Sequence, residues 1–239
     1  MRNFFFKTIV VCLAIVGIVI GASSLLLPRL ASEQLESHLQ DTLHPEGQSL
    51  RVESSPGIKL AFGDIDTFRG DLDGVTLGQL RVQRLHFDLR QMKVSPTDLY
   101  MNQRLQFTNL GKGHIEAVIH QDDLKQFIEQ RLSDKNTNTL TIETVEVTNR
   151  GVIMEGHINV GGFLSGKLIL QGQLEIEGNT LQFATEKLSI GGSSLHGLSN
   201  GAVKSIPVYN FNDFPIPVVL DRVETGREEI HVYVHPVEL

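Results

Sequence analysis

The chain has 239 residues with 21 basic and 28 acidic side chains, a formal charge of −7. That balance argues against nucleic-acid binding, which needs a clustered basic face. The single cysteine, Cys12, lies near the N-terminus, so no disulfide staples the remainder, and stability must come from an apolar core that a chain of this length can bury. Tryptophan is absent and tyrosine occurs three times, which weighs against a sugar site built on stacked rings.

Thr8 to Leu27 is a run of twenty residues without a charge, preceded by Arg2 and Lys7 and closed by Pro28-Arg29. As a helix rising ~1.5 Å per residue it spans ~30 Å, the hydrocarbon thickness of a bilayer. The basic residues before it predict a signal anchor with its N-terminus in the cytoplasm and the rest of the chain extracytoplasmic. Cleavage near Gly21-Ala22-Ser23 is the alternative, giving a secreted protein. The length of the run and the bulky Ile20 three residues before that cut favour the anchor. Cys12 reads as lipid-facing rather than lipid-modified. The expected organisation is residues 1–29 as anchor and 30–239 as an extracytoplasmic domain.

Residues 30–43 have the spacing of an amphipathic helix, with Leu30, Leu35, Leu39 and Leu43 near one face. Pro45 and Gly47 stop it. From Ser49 to Ile119 the period changes to two: Leu50 and Val52; Ile58, Leu60 and Phe62; Leu85, Phe87 and Leu89. Glycines punctuate the runs, as expected of antiparallel strands with one wet face. Pro96 interrupts, and Gly111-Lys112-Gly113 marks a turn. Between Gln121 and Leu132 the apolar residues Leu124, Phe127, Ile128 and Leu132 share one helical face. Asp122 and Asp123 suit the N-terminus of its dipole, and Arg131 suits the C-terminus.

Strands resume at Leu140, Ile142, Val145 and Val147, turn at Asn149-Arg150-Gly151, and return through Val152 to Val160. Leu168, Leu170, Leu174 and Ile176 form the next run, with Gly172 a candidate bulge. Glu177-Gly178-Asn179 turns the chain into Leu181, Phe183, Leu188 and Ile190. Gly191 to Asn200 reads as a glycine- and serine-rich loop. A last hairpin runs from Val218 to Val234 about Thr225-Gly226-Arg227. Helix, strands, helix, strands suggests two similar halves and an α+β fold in which a strongly curved antiparallel sheet, a half-barrel or groove, wraps one or two amphipathic helices.

No catalytic constellation stands out. Asp64, Asp66, Asp71 and Asp73 miss the ligand spacing of a calcium loop and read as solvated turn residues. His231 and His235 share a strand face but lie ~13 Å apart along it. There is no HExxH, and Ser193 and Ser194 beside His196 do not form a GxSxG elbow. No metal, cofactor or enzymatic activity is expected.

The series Val52-Glu-Ser-Ser-Pro-Gly-Ile-Lys-Leu60, Phe68-Arg-Gly-Asp-Leu-Asp-Gly-Val75 and Leu85-His-Phe-Asp-Leu89 resembles a known family. So do the strand-to-helix passage Ala117 to Leu124 and the segment Phe214-Pro-Ile-Pro-Val218. Over roughly residues 30–237 the chain resembles the LmeA-like phospholipid-binding proteins of bacteria, anchored or secreted extracytoplasmic proteins. The resemblance implies a tubular-lipid-binding type of fold, a long helix in a curved sheet with acyl chains between, and no catalytic motif. The second proline of Phe-Pro-Ile-Pro departs from the expected small residue.

The physics agrees with that expectation. A curved sheet with one helix has more apolar inner surface than the helix covers, and a lipid tail fills the rest at ~0.8 kcal/mol per methylene. Leu124, Phe127 and Ile128 are the candidates on the helix side of such a groove; Leu168, Leu170, Leu174, Ile176 and Phe183 are those on the sheet side. The bland alternative is an ordinary dry core in an envelope scaffold domain that binds proteins. An envelope hydrolase is a weaker third reading.

Overall fold

The structure is a computed structural model and describes residues 43–101, 106–134, 140–160, 164–194 and 205–237, with Glu33, Glu36, Ser37 and Gln40. The expected anchor, and Leu30, Leu35 and Leu39 of the expected first helix, lie outside these residues. Glu33, Glu36, Ser37, Gln40 and Leu43 are helical, and His44 N–H donates to Gln40 O at 3.1 Å. Among the described residues no helix is long and apolar enough to cross a membrane.

Among the described residues thirteen strands form two sheets. Sheet I has the order β1 (Gly47–Glu53), β2 (Asp64–Leu77), β3 (Leu80–Val94), β5 (Lys112–His120), β13 (Glu229–Pro236), β12 (Val218–Thr225), with β4 (Phe107–Asn109) also pairing with β3. Sheet II has the order β10 (Ser193–Ser194), β9 (Thr180–Ile190), β8 (Leu164–Glu177), β7 (Gly151–Val160), β6 (Leu140–Thr148), with β11 (Ser205–Asn210) also on β9. Every pairing is antiparallel. The helices are α1 (Pro96–Tyr100), N-capped by the Ser95 hydroxyl, and α2 (Gln121–Asp134).

The curl of sheet I comes from its two longest strands. The inward set on β2 runs Ile65, then Phe68, Gly70 and Leu72, then Val75 and Leu77. On β3 it runs Leu80 and Val82, then Leu85, Phe87 and Leu89, then Met92 and Val94. The period-two alternation slips twice, at facing positions on both strands, while the pairing register stays constant from Leu77↔Leu80 to Asp64↔Lys93. One slip lies at Gly74 (φ 65°) and the other at Gln91 (φ 59°). A strand that slips phase without losing register must bend, because its buried face has to turn with it.

Sheet II bends by a different device. In β6 the register shifts between Ile142 and Thr144, and the inward residue facing that shift is Gly156. In the β8–β9 pairing a second shift leaves Glu186 as the extra residue, beside Gly172. A Cβ on Gly156 would stand 2.0 Å from Thr141 O, and one on Gly172 would stand 2.0 Å from Ala184 O and 2.8 Å from the Phe183 ring. Only glycine admits such close backbone approach. The bulge expected at Gly172 of β8 falls instead on the facing strand, at Glu186 of β9, with Gly172 opposite the shift.

The sheets meet at two main-chain seams. Glu228 N–H donates to Val147 O at 3.0 Å, and Val147 N–H donates to the Gln121 side chain at 3.2 Å. At the second seam Asn179, in the β8–β9 turn, takes the place of a strand rung on β12. Its Nδ2 donates to Val218 O at 2.9 Å, and its Oδ1 accepts from Leu220 N–H at 2.8 Å. The inner faces of both sheets and α2 share one continuous apolar core.

Several readings from the sequence need correction. A single curved sheet was expected, and two are found. Ile58, Leu60 and Phe62 are not a strand but a 3-10 turn, Gly57–Phe62, closed by Gly63 at φ 81°. Pro56 and the glycines at both ends prevent extension there, and Leu60 is buried while Phe62 points to solvent. The aspartates 64, 66, 71 and 73 belong to β2 rather than to a turn. Asp64, Asp66 and Asp73 are ion-paired to Lys93, Lys59 and Arg84, and Asp71 is hydrogen-bonded with the His86 ring at 2.8 Å. Gly191-Gly192 is a tight hairpin, both residues at positive φ, as a two-residue turn requires. Residues 205–210 form a strand that the pattern did not predict, because Pro207 interrupts it; an edge strand tolerates the proline at a register shift.

Candidate functional site

α2 follows β5 directly and packs on β6 of sheet II and on β3 and β5 of sheet I. Its register is fixed at the first turn. Asp123, nearly buried, accepts from Arg81 of β3 at 3.1 Å, and Arg81 also donates to Glu46 at 2.9 Å. The two carboxylates hold the Arg81 guanidinium firmly protonated, its pKa raised by hydrogen bonds to Glu46 and Asp123. With that turn pinned, Leu124 and Phe127 enter the core and Ile128 and Leu132 pack at its margin.

The eight residues chosen from the sequence come together. Leu124, Phe127, Leu168, Leu170, Leu174 and Phe183 are buried in the common core, and Ile128 and Ile176 pack against it. Leu168, Leu170, Gly172, Leu174 and Ile176 alternate along the inner face of β8, with Phe183 filling the space that Gly172 leaves.

Beside this core lies a recess of about 440 Å³ lined by Leu77, Gly78 and Gln79 of the β2–β3 turn, Phe127 and Arg131 of α2, and Pro207 to Asn210 with Asp213. Its size falls in the ~300–1,000 Å³ range of small-molecule sites. Leu77, Phe127 and Val208 are members of the continuous core, so the recess borders the apolar interior. The Arg131 guanidinium lies over the Phe127 ring, 5.1 Å from its centroid. Burial, and secondarily the charge of Asp213, push the Tyr209 phenol up to about 12, and its ring packs edge-on against Phe211 at 4.9 Å.

Of the eight sequence candidates only Phe127 lines the recess. Arg131, Tyr209, Val208 and Leu77 were missed. Arg131 was legible as the i+4 neighbour of Phe127; Tyr209 was not, because no periodic pattern marks its strand.

Two other clefts carry more charge. The larger, about 950 Å³, lies where Gln121, the β6–β7 hairpin and the β12–β13 turn meet, and its charged lining comprises Arg150, Lys187, Arg227, Glu146, Glu186 and Glu228. Although larger, it mixes those six charged side chains with Val147, Val152 and Ile153, so its wall is amphipathic rather than mainly apolar. The other, about 420 Å³, lies on the outer face of sheet I. There Asp71, His86, Glu116, Tyr233 and Arg222 stand directly opposite one another from β2 to β12. Burial alone would raise the Glu116 pKa, but hydrogen bonds with His231 and Tyr233 and the charge of His231 lower it overall. This face is a polar ladder. Among the described residues no group of three His, Cys, Asp or Glu side chains is placed to hold a metal.

The fold and recess define a β-rich protein with strongly curled sheets, few helices among the described residues and an apolar interior bordered by a semi-polar recess. A family model for LmeA-like phospholipid-binding proteins matches residues 22–235, and the chain belongs to that family. No curated protein and no solved structure matches it.

Proposed function

We propose that this protein binds a phospholipid non-covalently, with acyl chain lodged against α2 and the inner sheet faces and headgroup left at the opening. The observation that carries this is the recess at Phe127, lined in part by core residues and flanked by a cation. Arg131 makes no ion pair among the described residues; its recorded contact is with Phe127. An arginine beside an apolar wall matches the two ends of a phospholipid: phosphate to the guanidinium, methylenes to Phe127, Leu77 and Val208. Membership of a phospholipid-binding family supports the same reading.

The uncharged run from Thr8 to Leu27 supports a single-pass anchor with the folded domain outside the cytoplasm, and so a role in lipid handling in the cell envelope. The protein acts by burial and release rather than by bond chemistry. Native mass spectrometry of the purified chain, with lipid extraction from the same sample, tests the reading. A stoichiometric phospholipid that survives delipidation and is lost in Phe127→Asp is expected. Bare protein mass overturns it.

A second reading has its own observation. Leu124, Leu181 and Phe183 are wholly shielded from solvent by protein, as in a dry scaffold domain. Bare mass together with capture of a defined envelope protein favours that reading.

A further inference from the structure

Among the described residues four large apolar side chains stay exposed: Phe62 at 70%, Met101 at 79%, Val219 at 40% and Val237 at 38%. All four lie at one end of sheet I. The antiparallel pairings Asp64↔Lys93, Arg90↔Lys112, Ile115↔Val234 and Val218↔Pro236 bring the start of β2, the end of β3, the start of β5, the end of β13 and the start of β12 to that end. Phe62 precedes β2 and Met101 follows α1, just beyond β3. Val219 lies at the start of β12, and Val237 follows β13.

Phe62 and Met101 are held there by backbone. Gly63 closes the 3-10 turn at positive φ, and its carbonyl accepts from Val94 N–H at 2.9 Å, which sets Phe62 beside the start of α1. Met101 N–H donates to Thr97 O at 2.9 Å. Both side chains project from ordered turns. Among the described residues the four exposed apolar side chains are spread over separate elements rather than gathered in the broad, flat patch that a protein partner needs.

Among the described residues three cations at this end are paired, Lys59 with Asp66 at 2.9 Å, Lys93 with Asp64 at 3.2 Å and Arg90 with Asp88 at 3.6 Å. Separate exposed apolar side chains beside paired charges fit the interface of a zwitterionic bilayer, where flexible tails accept single side chains and no anionic lipid is required.

We infer that this end of sheet I, led by Phe62 and Met101, seats on a lipid surface. The choice of occupant rests on the phospholipid reading above. The contact is separate from the N-terminal run, because the chain enters sheet I at the opposite end, where Glu46 N–H donates to Asp73 O at 2.8 Å.

The sequence contains no tryptophan, so Phe62→Trp and Met101→Trp each introduce a unique probe, with Glu175→Trp on an exposed position of β8 as control. The full chain is reconstituted in phosphatidylcholine vesicles carrying brominated acyl chains. The indoles at 62 and 101 are expected to be quenched at least about twofold more than the control, unchanged at high salt, because the contact is apolar rather than ionic. Quenching no greater than the control overturns the inference. Burial of the probes that depends on protein concentration without lipid also overturns it, in favour of a second copy of the chain. If the indoles are quenched but the purified chain holds no lipid, the acyl-chain reading falls and the docking end stands. If lipid is held but the indoles stay in water, the docking end falls alone.

Discussion

Arg81 of β3 reaches Asp123 in the first turn of α2, its Nη1 donating to the carboxylate at 3.1 Å. The Asp123 side chain is 11% exposed and that of Arg81 38%, so the pair sits where the helix seats on sheet I. The helix presents Leu124 and Phe127 to the interior because this contact sets its rotation.

Breaking the pair from the arginine side leaves a nearly buried carboxylate without its partner. A fully buried pair broken this way costs ~3–5 kcal/mol; with Arg81 more than a third exposed, Arg81→Met is expected to cost about 1–2 kcal/mol. Adding Asp123→Leu should recover most of that loss. Chemical denaturation of both variants checks this, and an unchanged midpoint in Arg81→Met removes the pair from the account of how α2 is held.

Gly172 faces the core beside the bulge at Glu186. In Gly172→Ala the new methyl meets the Ala184 carbonyl at 2.0 Å and the Phe183 ring at 2.8 Å. Overpacking of this kind costs ~1–3 kcal/mol. Thermal unfolding should show a lowered midpoint, and trimming Phe183 to Leu in the same chain should not restore it, because the closer contact is with backbone.

Tyr209 makes stability fall at high pH. Its folded pKa is raised above the ordinary value of 10 to about 12, mainly by burial and then by Asp213. The neutral phenol is the form the fold favours. Its contribution is therefore complete below pH 10 and lost as pH rises from 10 through 12. Denaturation at successive pH values should show stability falling across that window, with a shallower fall in Tyr209→Phe. Equal slopes in both chains reject the assignment.

Arg131 is expected to matter for lipid and little for folding, since it is exposed and its recorded contact is the Phe127 ring. Arg131→Ala should weaken phospholipid affinity by about tenfold, the ~1.5 kcal/mol of a charged hydrogen bond, with unfolding stability within ~0.5 kcal/mol of the parent. Lipid extraction and quantification measures the first, denaturation the second. Full retention of lipid would move the headgroup contact elsewhere.

How far the sequence reached depends on which regularities are local. Strict alternation on β8 and the 0, 3, 4, 8 spacing on α2 each follow from one element burying one face, so Leu168, Leu170, Leu174, Leu124 and Phe127 were legible as interior residues. The β12–β13 hairpin and the Asn149-Arg150 turn were legible for the same reason. Phe62 misled, because its place in an alternating run mimicked a strand that Pro56 and Gly63 do not permit.

The sequence by itself determined the strand-rich pattern, the helix face of α2, the uncharged N-terminal run and the family resemblance, because each is carried by neighbouring residues. Only the tertiary structure decided that the strands divide into two sheets, that Asn179 substitutes for a rung on β12, and that Tyr209 and Leu77 stand beside Phe127 and Arg131 around one opening. Those relations join residues up to 132 positions apart, from Leu77 to Tyr209. They arise from register, bulges and curl, which no single segment encodes.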